Sequence, residues 1–347
     1  MHDVVTPPRA AATPSGRSGL SRLTVVVGAL VLLGLLLLAS LALGSKPLAP
    51  AQVWHALVAP DGGEASTIVN DLRVPRTLLG LVVGAALAVA GVLLQALTRN
   101  PLAEPRILGV SAGASLGVVT AIAAFGVTTL TGYVWFGILG ALLAGVLVFG
   151  IASRTREGAS PVTLALIGAA MDASFGAVTI GLLTVDSYTF EEYRFWVVGG
   201  LTGRGAGIPA QVAPFVLVGL LLAAMVARGL DALALGDDVA RGLGNRVGLI
   251  RIGGGAAAVL LTGAGVAAAG PIAFVGLAVP HLARALVGAD QRWTLAVSVL
   301  LGPALLLGAD IVGRLITPGE VPAGIITALL GAPLLAFLVR RARVVTA

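Results

Sequence analysis

Three ionisable groups stand inside long apolar runs, where a charge is seldom incidental. Asp172 lies about twelve residues into the run that opens at Pro161, and Asp310 and Arg314 stand four apart in "LGADIVGR". That spacing puts two side chains on one helix face, close enough to pair. Ionisable groups at such depth face the protein interior or a water-filled cavity. For Asp172 two readings stay open: the wall of a pathway, or a buried pair with an arginine. His281 follows a proline at a helix end, with no acid or histidine at ligand spacing, so it reads as a cap or interface residue rather than a metal ligand. Cysteine is absent, which excludes a disulfide framework, a thiolate metal site and a thiol nucleophile. No span holds paired carboxylates for acid–base work, so the chain is not expected to be an enzyme. The pattern Gly-x-x-x-x-Gly-Lys-Ser/Thr is missing, and the single lysine, Lys46, precedes a proline. No metal and no bound cofactor are expected. Any ATP would have to be hydrolysed by a partner subunit.

The elements that hold these groups follow from composition. Of the 347 residues 57% are hydrophobic and 11% charged, with a mean hydropathy of +1.01. Soluble domains carry about 25% charged residues, so the bilayer is the expected solvent. Roughly 20 apolar residues cross it as a helix. Runs of that kind cover 23–43, 77–97, 107–153 (two spans, broken near "GVTTLTGY"), 161–185 and 208–227. The run 252–281 is expected to break at Gly270-Pro271 into one full and one shorter span, and 293–314 and 321–339 complete a count of ten. The fold class is therefore an all-α polytopic membrane protein. Residues 1–22, rich in Pro, Ala, Ser and Arg, read as a disordered cytoplasmic tail, and 23–341 as one transmembrane domain. No small-residue cleavage site follows the first span, so no removable signal peptide is expected. With the N-terminus inside, sixteen of the 22 basic residues fall on cytoplasmic segments and six outside: Lys46, Arg73, Arg76, Arg194, Arg204 and Arg314. By the positive-inside rule both termini are cytoplasmic. A proton- or sodium-driven transporter would need several deep ionisable groups; Asp172 is the one deep acid.

The stretch "TRNPLAEPRILGVSAGASLG", residues 98–117, is then a cytoplasmic hairpin. Pro101 and Pro105 end the preceding helix, because proline disfavours helix for the residue before it. Asn100 belongs to the same turn, and Arg99 and Arg106 are expected to hold it at the headgroup level. Gly109, Gly113 and Gly117 recur every fourth residue, a spacing that lets membrane helices approach closely. The longest inside loop, about 228–248, contains "GDDVARGLG". It can form a short helix with Asp237 and Asp238 near its positive N-terminal end, closed by Gly242 and Gly244. From its residues alone it is a solvated connector or a contact for a partner.

The string "LRVPRTLLGLVVGAALAVAGVLLQALTRNPLAEPRILGVSAGASLG" resembles the signature of the FecCD-type permeases, the binding-protein-dependent importers of ferric siderophores, haem and cobalamin. "GPIAFVGLAVPHLAR" and "LGADIVGRLITPGEVPAGIITALLGAPLLAFLV" resemble the later motifs of that family, in the same order, so the resemblance runs from about Leu72 to Arg341. It implies the type II ABC importer permease fold and a second permease copy or paralogue. It further implies two cytoplasmic ATP-binding subunits, an extracytoplasmic substrate-binding protein and a bacterial cell membrane. The function it implies is the pathway-forming subunit of an ATP-driven importer, most directly for ferric siderophores, with haem and cobalamin as alternatives. Carried onto this chain, the matching motifs make Arg73, Arg76 and Arg314 the receivers of acidic side chains from the binding protein; the alternative for such arginines is headgroup anchoring by snorkelling. Asp237, Asp238, Arg241, Gly242, Leu243 and Gly244 become the contact with the ATPase, and "PHLARALVGADQR" a second candidate. Ser160, Pro161, Val162 and Thr163 become pathway or gate residues; Asp172 joins them only on the pathway reading of its depth, since the family pattern has small or polar residues at its position. Arg194 and Arg204 share the outer face but lie outside the motifs, and are expected to matter less.

Overall fold

The apolar runs are helices in the computed structural model, which describes residues 19–155, 160–317 and 319–345; no strand occurs among them. In chain order they are α1 (Gly19–Ala42), α2 (Pro50–Val58), α3 (Glu64–Thr67) and a π-helical turn (Ile68–Arg73) that runs straight into α4 (Val74–Thr98). A 3₁₀ turn (Pro105–Leu108) leads to α5 (Val110–Phe125), followed by α6 (Leu130–Ser153), α7 (Pro161–Val185), α8 (Ser187–Val197), α9 (Gly207–Ala234) and α10 (Asp237–Gly242). Then come α11 (Val247–Ala269), α12 (Val275–Val287), α13 (Gln291–Ile316) and α14 (Ala323–Val345). Among the described residues seven helices are long and apolar enough to cross a membrane: α1, the continuous 64–98 stretch, α6, α7, α9, α11 and α13. The other three expected spans fall on the shorter apolar helices α5, α12 and α14. The tail expected over 1–22 lies outside the described residues as far as residue 18, and Gly19–Arg22 already belong to α1.

The expected breaks occur where the backbone leaves the helical basin. Gly126 ends α5 at φ 62°, and Gly270 ends α11 at φ 77°, with α12 starting after Phe274 at φ 68°. The amphipathic α8 was not expected from the apolar runs; Asp186 caps it, accepting the backbone N–H groups of Tyr188 (3.1 Å) and Thr189 (3.3 Å).

At the centre stands α4, buried along most of its length and packed on α13, α11, α9 and α12. No hydrophobic effect drives helices together in lipid, so close backbone approach must do it. Gly91 supplies one such approach: a Cβ on it would lie 1.9 Å from the Gly276 carbonyl oxygen. The stripe Gly109–Gly117 splits in two. Gly113 and Gly117 seat α5 on α6 at Gly140 and Phe136, but Gly109 is the turn residue before α5, at φ 66°. By contrast α1, α7 and α9 leave most of their apolar surface uncovered by the chain.

Candidate functional site

One end of the bundle carries a cleft of about 430 Å³ between the segment after α1, the start of α4, the loop after α8 and the end of α13. Its charged lining is five cations, Lys46, Arg73, Arg76, Arg204 and Arg314, against two acids, Asp71 and Glu320. Beneath it lies Asp310, fully buried. Asp310 is shared by two arginines: Arg76 donates through Nε (3.0 and 3.1 Å) and Nη2 (2.8 Å), and Arg314 through Nε (2.9 Å) and Nη2. The planar guanidinium suits this two-pronged geometry. Arg76 also pairs with Glu320 at 2.6 Å.

Arg73 meets carbonyls instead of an acid. A helix leaves its last carbonyls without intrahelical partners and its C-terminus partly negative. Arg73 donates to Leu41 O (2.6 Å) and Ala42 O (2.9 Å) at the end of α1, and Arg314 Nη1 donates to Ser40 O (2.8 Å). Ser40 and Thr77 close the cluster through their hydroxyls at 2.7 Å. Arg73, Arg76 and Arg314 are only 6%, 8% and 3% exposed. Their guanidiniums are therefore held by contacts within the protein.

Arg194 and Arg204, grouped together by the sequence, part company. Arg194 pairs with Glu191 on the exposed side of α8, at 2.6 Å, away from the cleft. Arg204 lines the cleft beside Tyr133, with a buried Nε that has no hydrogen-bond partner among the described residues. Burial pushes its guanidinium below the ordinary value, and the neighbouring Tyr133 opposes the shift.

At the other end of α4 the short helix α10 forms where "GDDVARGLG" was expected to form one. Its two acids differ. Asp237 turns inward, pairing with Arg99 after α4 and with Arg251 on α11 at 2.9 Å, and so anchors α10 to the bundle. Asp238 points away and, among the described residues, pairs with Arg241 alone, at 2.7 Å. Val239 and Leu243 are exposed beside them, making a mixed apolar and charged face. Gly244 closes the turn at φ 81° with open space around it, and Gly242 likewise has no neighbour.

Between α4 and α5 the turn does not stay at the end of the bundle. Asn100 Oδ1 accepts the Leu102 N–H at 2.9 Å, and Arg99 takes φ 48° and donates to Leu233 O at 3.0 Å. Beyond Pro101 the chain climbs back along α4, so that Pro105 lies against Gly276, itself beside Leu87 and Gly91. Leu87 is eleven residues before Thr98, or ~16 Å along the helix at 1.5 Å per residue. Arg99 thus ties one end of the turn to the α9–α10 segment, while Glu104 and the exposed Arg106 line a small pocket beside the α11–α12 break. Burial raises the Glu104 carboxyl above its ordinary value, against the pull of Arg106 and the Phe274 N–H.

Ser160 is the N-cap of α7, accepting the Thr163 N–H at 3.2 Å, with Pro161 in the first turn and Val162 exposed. Asp172 is half-buried on the largely uncovered α7, and no arginine reaches it within ion-pair distance among the described residues. No group of His, Asp and Glu among them could hold a metal ion.

The sequence matches the FecCD transport family over residues 31–341. The chain belongs to that family. Among its relatives, the ferric enterobactin transport system permease protein FepD of Escherichia coli is 42% identical, over 94% of this chain and 98% of its own. The probable siderophore transport system permease protein YfiZ of Bacillus subtilis is 40% identical over 84% and 87%. The cobalamin import system permease protein BtuC of Halobacterium salinarum is 41% identical over 80% and 74%. A solved metal-chelate type ABC transporter in an inward-facing conformation superposes with a TM-score of 0.80 at 30% identity, covering 92% of this chain and 99% of that one. This FecCD chain is accordingly a multi-pass membrane protein and a permease component of an importer. The cleft and α10 lie at the two ends of its central helix. Sequence reasoning found the Asp310–Arg314 pair from its spacing; the third member, Arg76, is 234 residues away and only the fold unites them.

Proposed function

We propose that this chain is the transmembrane permease subunit of an ATP-driven importer of ferric siderophores in a bacterial cell membrane. One observation carries the reading: α4 starts at an arginine-lined cleft and ends at the anchor of an uncovered short helix. A single rigid element of 25 residues thus connects two sites of opposite kind, ~37 Å apart. The distribution of arginines supports the cleft facing outward and both termini facing the cytoplasm. The cleft, with Arg73, Arg76 and Arg314, is where an extracytoplasmic substrate-binding protein docks. The exposed face of α10, with Asp238, Arg241 and Leu243, is where an ATPase subunit docks, and two such subunits hydrolyse the ATP. A second permease copy or a paralogue covers α7 and closes the pathway, with Asp172 and the Ser160–Thr163 cap along it. The ferric enterobactin in the name of FepD and the siderophore in that of YfiZ support iron siderophores as cargo.

The test is co-purification and uptake. The chain is expressed with its neighbouring genes, purified, and reconstituted in vesicles with the ATPase inside and the binding protein outside. ATP-dependent uptake of a ferric catecholate or hydroxamate is expected, with haem and cobalamin left behind. Uptake of cobalamin or haem alone would replace the cargo. Purification without any ATPase would overturn the importer itself.

A further inference from the structure

Most cations of the cleft are already spent within the chain. Arg76 is satisfied by Asp310 and Glu320, Arg314 by Asp310 and Ser40, and Lys46 pairs with Glu64 at 2.5 Å. Arg73 donates to the carbonyls that end α1. Arg204 is different. Among the described residues its guanidinium hydrogen-bonds the Tyr133 hydroxyl but has no carboxylate within 4 Å, and its buried Nε has no partner. A guanidinium offers five donors, and an unsatisfied buried donor costs free energy until something accepts from it. The cleft's excess of cations over acids leaves it set for one more negative group.

We infer that Arg204 is a further carboxylate-accepting residue of this cleft, taking an acidic side chain of the docking protein beside the motif arginines Arg73, Arg76 and Arg314. This rests on the docking reading above. A carboxylate fits because the guanidinium fork binds it through two parallel hydrogen bonds. A protein side chain is favoured over the cargo because the loop that carries Arg204 stands at the end of the bundle, with Thr202 and Gly203 exposed next to it. Arg204 was invisible to motif reasoning; its significance comes from the cleft that the fold builds around it.

The experiment uses the complete permease–ATPase complex in lipid nanodiscs and the cargo-free binding protein, with binding measured at low and at raised salt. Arg204→Gln is expected to weaken docking about tenfold at low salt, equivalent to about 1.4 kcal/mol, and to flatten the salt dependence. Arg204→Lys should fall between, since a lysine keeps the charge without the fork. The variant complex should be purified in normal yield, because no internal ion pair is lost; if Arg204→Gln fails to assemble, the lysine variant alone decides by its binding. If Arg204→Gln docks within twofold of the wild type while Arg73→Gln docks poorly, this inference is wrong and the docking reading stands. If wild-type docking ignores salt and every arginine change, the docking reading itself fails. If docking is unchanged but the KM for an anionic ferric chelate rises, the carboxylate belongs to the cargo and the assignment to the partner is overturned.

Discussion

Replacing Asp310 with asparagine should damage the protein more than removing any cation of the cleft. The side chain is fully buried and accepts from two guanidiniums that are themselves under a tenth exposed. Asparagine keeps the shape and one acceptor oxygen but not the charge. Removing one partner of a buried ion pair costs about 3–5 kcal/mol, because the other is left uncompensated. Here Arg76 retains Glu320, whereas Arg314 retains only carbonyl and hydroxyl oxygens. Most of the cost therefore falls on Arg314. At 1.36 kcal/mol per factor of ten, the folded population should fall by roughly two to four orders of magnitude relative to the unfolded one. The assay is thermal unfolding of the purified complex in one fixed detergent, followed by the loss of monodisperse protein. The double variant Asp310→Leu with Arg314→Met removes both charges and leaves Arg76 balanced by Glu320. Replacing a buried pair by apolar groups of similar volume is often neutral, so the double variant should recover most of the loss. With the single variants Asp310→Leu and Arg314→Met closing the cycle, a coupling of several kcal/mol between the two sites is the quantity sought. If Asp310→Asn unfolds at the wild-type temperature, or if the double variant is no better than the single one, the account of Asp310 as the shared counter-ion is wrong.

Valine at Gly244 meets no neighbour, so its cost is conformational alone: a β-branched residue at φ 81° is strained by about 1–3 kcal/mol. Gly244→Val should insert and assemble but lose cargo-stimulated transport, while Gly244→Asn, which tolerates that φ, should keep it; normal transport in the valine variant would disprove the coupling role. Asp172→Asn should change uptake without changing complex yield, since no arginine depends on it; a collapse in yield would show a partner supplied from outside this chain. Asp186 is held below the ordinary carboxylate range first by the Thr189 hydroxyl, against an opposing desolvation and with further help from the Tyr188 and Thr189 N–H groups. Its capping of α8 is therefore fully present above the unfolded carboxylate value and lost as pH falls through the lower folded one. Amide exchange at the start of α8 should quicken in that acidic window, and Asp186→Asn should abolish the pH dependence while keeping the cap.

Much of the architecture was legible because lipid allows few solutions. A run of twenty apolar residues must be a helix, and Gly126, Pro161 and Gly270 could be read as its ends. The short helix at Asp237 was legible for a local reason, acids at its start and glycines after its end. Contacts between distant residues were not. The spacing of Asp310 and Arg314 announced a pair, but not that Arg76 completes it or that α1 ends on both arginines. Gly109 looked like part of a packing stripe because spacing ignores φ, and its real place is a left-handed turn. The helix α8 was missed because "SYTFEEYRFWV" is too short and too polar for a span search. Arg204 carried no local signal, for its lack of an acid partner is a property of the folded neighbourhood.

The way α1 is fastened has a mechanical consequence. Near its start Arg22 meets Asp290 at 3.5 Å and lies over the Trp293 ring; at its finish Ser40 accepts from Arg314. Both fastenings run to the same helix, α13, at its two extremities. A rod pinned at both tips to a neighbour can neither slide along it nor swing away. The two must travel as a single strut through any cycle of opening and closing, and a covalent crosslink between them should be functionally silent. Relative motion is then left to joints where the backbone already leaves the helical basin, among them Arg99, Gly109 and the Gly270–Phe274 break. A crosslink across any of those joints should stop the cycle.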